Sequence, residues 1–99
     1  MYRGGIRMEW KNLEHEAELF KVLANPVRLC ILIGLLREGN CQVSVMQECL
    51  SLPQSTVSQH IGKLRSAGII HGERKGTQIY YQVVNEKVKE LIKIIMEEK

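Results

Sequence analysis

Between Asn25-Pro26 and Gly39-Asn40 lies a segment that is apolar on nearly every side of a helix: Val27, Leu29, Cys30, Ile31, Leu32, Ile33, Leu35 and Leu36. A helix of that composition has no natural water-facing side, so other elements must pack around it and it becomes the centre of the core. Asn is a strong N-cap and Pro suits the first helical position, where its missing N–H would be unpaired anyway. Gly39 is a stop signal. The predicted helix therefore runs from Pro26 to about Arg37. Its longest charge-free run, Leu29–Leu36, is eight residues, against the ~20 needed to cross a bilayer, so no membrane is expected as a partner.

The chain has 99 residues, which is one domain's worth and is expected to form a single unit over 1–99. A lone domain of this size buries only ~60–70% of its unfolded surface, which favours self-association. With 44% hydrophobic and 25% charged residues, disordered and collagen-like classes are excluded. The N-terminal MYRGGIRMEWK has no apolar run of signal-peptide length. A cytoplasmic location is expected, with Cys30, Cys41 and Cys49 as reduced thiols.

Residues 1–11 show no period and read as a loose arm. Asn12 is expected to cap a helix from Leu13 to about Leu23, with a stripe of Leu13, Ala17, Phe20 and Ala24 and acids early, where the helix dipole favours them. Ser44 and Gln47 have the form of a capping box opening a short helix from Val45 to about Leu50. After Ser51-Leu52-Pro53 a second helix runs from about Gln54 to Ala67, closed by Gly68. Ile69–Arg74 and Thr77–Val84 read as strands around Lys75-Gly76, since Ile79, Tyr81 and Val83 alternate with Gln78, Tyr80 and Gln82. Asn85 then caps a last helix with Val88, Leu91, Ile92 and Ile95 at i, i+3, i+4 and i+7. The expected fold is mainly α with a β-hairpin wing, a winged helix-turn-helix in the order α-α-α-α-β-β-α.

On a helical wheel, Val57, Ile61 and Leu64 point one way, with His60 at their edge. Ser55, Gln59, Gly62 and Ser66 point the other way, flanked by Thr56, Ser58 and Lys63. That outward face is small, neutral and rich in hydrogen-bonding groups, whereas an ordinary solvated face would carry Glu–Lys pairs. Gln can bond adenine bidentately, Ser and Thr can bond bases or phosphates, and a helix N-terminus offers N–H groups to phosphate. The charge agrees. The formal net charge is +3, and residues 51–84 hold Lys63, Arg65, Arg74 and Lys75 against the single acid Glu73. Double-stranded DNA is the expected partner; a solvated Ser/Gln face and a polar hairpin tip are the plainer alternatives.

Three strings, LFKVLANPVRLCIL, LPQSTVSQHIGKLRSAGII and ERKGTQIYYQV, span about two-thirds of the chain in order. They closely resemble the ArsR/SmtB family of winged helix-turn-helix repressors. The resemblance implies a homodimer, built from the first and last helices, that represses transcription at an inverted-repeat operator. It implies DNA contacts at Gln54, Ser55, Thr56, Ser58 and Gln59, with Arg74 and Lys75 in the wing; Lys63 and Arg65 add to these from the charge pattern. The dimer is expected to use Leu13, Phe20, Val88, Leu91, Ile92 and Ile95. The family's Cys-x-Cys metal site falls on Gln42 and Ser44, and residues 85–99 contain no His, with Lys87 where a ligand is usual. No metal and no cofactor are therefore expected, as in the PagR-type members.

Two alternatives stay open. Cys30, expected as buried filler in the apolar helix, Cys41, expected to be exposed, and Cys49 could make the same fold a thiol-responsive sensor of oxidants, persulfides or a soft metal such as arsenite. A protein-interaction scaffold would instead need aromatics or an apolar stripe on the second short helix, and Ser55, Gln59 and Ser66 do not supply them. No enzyme is expected: there is no phosphate-cradling glycine loop, HExxH or GxSxG.

Overall fold

The computed structural model describes residues 9–97. Residues 1–8 of the expected arm lie outside them. Trp10–Leu13 forms a 3-10 turn leading into α1 (Glu14–Leu23). Asn12 does not cap that helix: Leu13 occupies the N-cap position without a side-chain bond, because the 3-10 turn is already helical backbone and leaves no extended residue for a cap.

Asn25 turns the next corner. It is extended (φ −154°, ψ 124°), and its Oδ1 accepts from the N–H of Val27 at 2.9 Å and of Arg28 at 3.0 Å. Pro26 follows at the first position of α2 (Pro26–Glu38), and Gly39 ends the helix with φ 91°. After α2 come β1 (Cys41–Gln42), α3 (Val43–Leu50), α4 (Gln54–Ser66), β2 (Ile70–Lys75), β3 (Gln78–Val83) and α5 (Glu86–Glu97). Asn85 caps α5, accepting from the Val88 N–H at 3.1 Å.

The two-residue strand β1 has no counterpart in the expected order. It pairs antiparallel with β3, Cys41 opposite Tyr81 and Gln42 opposite Tyr80, so the sheet runs β1-β3-β2. This pairing also displaces the expected capping box. The chain enters α3 directly from a strand, the helix starts at Val43, and no side chain caps it. In the hairpin Lys75 faces Gln78, so the loop is Gly76-Thr77, one residue later than expected. Gly76 has φ 66° and is the first loop residue, the arrangement of a type II′ turn.

The core gathers Ile31, Leu32 and Leu35 of α2, Val57, Ile61 and Leu64 of α4, Val88 and Ile92 of α5, Ile69, Ile70, Tyr81 and Val83 around the hairpin, Leu19 and Leu23 of α1, and Met46 of α3. Burying a side chain of this size contributes about 1.5–3 kcal/mol. The stripe Leu13, Ala17, Phe20 and Ala24 faces outward, while Leu19 and Leu23 face in; periodicity marks an apolar face without saying what covers it. Two expectations about burial change. Val88 and Ile92 are 0% exposed, so the protomer's own core consumes them and they offer nothing to a second copy. Cys30, expected inside, is exposed, because Ile31, Leu32 and Leu35 take the inward side of α2.

Asn25→Ala removes the acceptor of two N–H groups at the start of the central helix. It should lower unfolding free energy by about 1 kcal/mol, read from urea or thermal melts.

Candidate nucleic-acid interface

The α3–α4 pair is joined by Ser51–Pro53, and Ser51 adopts the left-handed conformation (φ 56°) that stops α3. α4 is then seated by Val57, Ile61 and Leu64, at most 3% exposed. That seating turns Gln54, Ser55, Ser58, Gln59, Lys63, Arg65 and Ser66 outward, with Thr56 half-buried beside them. No side chain caps the N-terminus of α4, so its first N–H groups are available to an anion. Gln59, Lys63 and Arg65 also border a cleft of about 990 Å³ whose far wall includes His15, Glu18 and Lys21 of α1.

In the wing, Arg74 pairs with Ile79 and Lys75 with Gln78, and both cations are exposed. The Lys75 ammonium lies 5.7 Å from the centre of the Tyr80 ring, within cation–π range. The Tyr80 hydroxyl accepts from Nε2 of Gln42 at 3.0 Å. The basic tip is therefore braced by β1, a support that two residues without periodicity could not announce in the sequence.

Arg28 is a further residue that sequence reasoning missed. Its Nε donates to the Val22 carbonyl at 2.6 Å and its Nη1 to Nδ1 of His60 at 3.2 Å. One guanidinium thus ties the end of α1 and the start of α2 to the back of α4. An arginine has no acceptor atoms, so Nδ1 of His60 must accept, and the ring is neutral with its proton on Nε2. Burial, then Arg28 and Lys63, hold His60 below its ordinary pKa of 6.5. The signal in the sequence was a cation in the first turn of a nearly all-apolar helix, well before Arg37 at its end.

Cys30 on α2 and Cys49 on α3 are exposed; Cys41, expected to be exposed, is half-buried on β1. Burial, with Cys49 and Glu38 nearby, pushes the Cys41 thiol up. Among the described residues no three His, Cys, Asp or Glu side chains are grouped to hold a metal ion.

A helix-turn-helix seated on a central helix, followed by a basic hairpin, defines a winged helix-turn-helix DNA-binding protein. Residues 23–73 match the family model described as a helix-turn-helix domain. The transcriptional repressor PagR of Bacillus anthracis is 40% identical over 89 residues, covering 90% of this chain and 89% of PagR. The PagR crystal structure superposes with a TM-score of 0.79 at 41% identity over 88% of this chain and 99% of that one. HlyU from Vibrio cholerae gives a TM-score of 0.83 at 32% identity, over 91% of this chain and 96% of that one. The repressor SmtB of Mycobacterium tuberculosis is 34% identical over 80 residues, 81% of this chain and 58% of SmtB. The chain belongs to the ArsR/SmtB-type winged helix-turn-helix repressors, a family of transcription regulators and not of enzymes. Among the described residues no single helix is long and apolar enough to cross a membrane.

Because the folded state holds His60 below 6.5, the unfolded chain takes up its proton first as pH falls. The His60 contribution to stability is complete above that value and is lost as pH falls from about 6.5 through the lowered folded value. Melting temperature across that window should fall less in His60→Gln than in the native chain.

Proposed function

We propose that the protein is a homodimeric repressor that reads an inverted-repeat operator with α4 and touches the flanking backbone with the wing. The observation that carries this is the division of α4: Val57, Ile61 and Leu64 face in, while Ser55, Ser58 and Gln59 face out. None of the exposed large hydrophobic residues lies on α4, which argues against that face as a protein-docking surface. Gln54, Ser55, Thr56, Ser58 and Gln59 are assigned to the groove. Lys63, Arg65, Arg74 and Lys75 are assigned to phosphates, in a protein working on DNA in the cytoplasm.

A second copy is the natural cover for the surface the protomer leaves bare. Leu13 is 59%, Phe20 55% and Ile94 56% exposed, and Leu91 and Ile95 are half-buried. The assigned interface is thus Leu13, Phe20, Leu91, Ile94 and Ile95. In a symmetric dimer the two α4 helices would meet the duplex about one turn apart, ~34–36 Å.

Gln59→Ala should weaken binding to the cognate operator by about 1–3 kcal/mol per half-site and non-specific DNA far less. Lys75→Ala should weaken both alike and reduce the salt slope by about 2 for the two copies. Titrations by fluorescence anisotropy at several salt concentrations measure both effects. Equal losses on cognate and random DNA for Gln59→Ala would remove α4 as the reader. Phe20→Asp should sediment as a monomer and bind the operator about 100-fold more weakly; an intact dimer would reject this interface.

A further inference from the structure

The three cysteines come from three elements yet line one cavity. Cys30 of α2, Cys41 of β1 and Cys49 of α3 border a space of about 660 Å³, shared with Tyr80 of β3 and apolar residues such as Ile33 and Met46. That is the size and character of a small-molecule site. Structural cysteines are inert because they are buried, but Cys30 and Cys49 are exposed. Nor are the thiols arranged as a metal centre, since no three donors are grouped for one ion among the described residues. Separate thiols on an apolar wall suit covalent capture of carbon rather than coordination.

We propose that this cavity binds an apolar soft electrophile, a quinone or other α,β-unsaturated carbonyl compound, and that Cys30 or Cys49 adds to it. Sulfur bonds to the β-carbon, the C=C π pair moves toward the carbonyl, and the thiol proton ends on the α-carbon. With a quinone the ring rearomatises to a hydroquinone thioether. The addition consumes no external oxidant or reductant. Cys41, half-buried, stays a thiol.

The walls explain how an occupant would be felt. α3 leads through Ser51–Pro53 straight into α4. Tyr80 carries the Lys75 ammonium on its ring and accepts from Gln42. A molecule wedged between α2 and α3 therefore presses on the reading helix and on the brace of the wing together. This regulatory half rests on the DNA-reading function proposed above; adduct formation does not.

The test uses the full, reduced chain, with 2-methyl-1,4-naphthoquinone as probe and iodoacetamide as a small polar control. Peptide mass mapping follows the adduct, and anisotropy follows the operator. The expected result is an adduct on Cys30 or Cys49 forming about tenfold or more faster than on glutathione, with no such advantage for iodoacetamide. Operator affinity should fall about tenfold or more. The Cys30→Ser/Cys49→Ser double variant should resist both effects, and Val45→Trp, at the exposed rim, should slow the adduct with every thiol in place. A quinone rate no greater than that of glutathione overturns the site. A fast adduct with unchanged operator affinity overturns the regulation. Fast adduct formation in a protein that binds no DNA supports the site and instead rejects the DNA-reading function.

Discussion

The seating of α4 governs what this protein can present. Val57 and Leu64 have no exposed surface and Ile61 almost none, so rotating the helix by even a quarter turn would pull a methyl-rich face into water at a cost of several kcal/mol. The polar side is held outward by what the other side buries. A DNA reader needs rigid side-chain placement more than strong individual contacts, and here the core supplies the rigidity. Arg28 adds a polar anchor from behind through His60.

Much of this was legible because each signal had a local physical cause. Asn25-Pro26 predicts a corner, since an acceptor and a missing donor suit the start of a helix, and the corner stands where expected. The alternation in β3 holds from Tyr80 to Val83 and fails only at Ile79, which lies beyond the body of the protein. The wheel of α4 sorted its inward and outward residues correctly, because a residue's side of a helix follows from its number.

What stayed hidden depends on partners distant in sequence. β1 exists because Cys41 and Gln42 find β3 some forty residues on, and neither residue has strand character of its own. Ser44 lost its cap to that pairing. Val88 and Ile92 share a stripe with Leu91 and Ile95, and no spacing rule distinguishes the part a protomer consumes from the part it leaves. Cys30 shows the same gap. An all-apolar helix was expected to be enclosed, yet α2 has one flank open to a cavity, and the convergence of three thiols there has no trace in their positions along the chain.

A single hydrogen atom shapes the hairpin. A Cβ at Gly72 would sit 2.6 Å from Cε1 of Tyr81, and Tyr81 is 5% exposed, so the aromatic ring fills the room a side chain at 72 would need. Gly72 and Tyr81 face each other in the ladder, and one step beyond them Gln42 of β1 still holds Tyr80. Only Glu73, Arg74 and Lys75 separate this clasp from the loop, an overhang of roughly 10 Å at strand rise. So short a cantilever cannot sweep widely, and its two cations reach a fixed radius from the body instead of searching for a strand to touch.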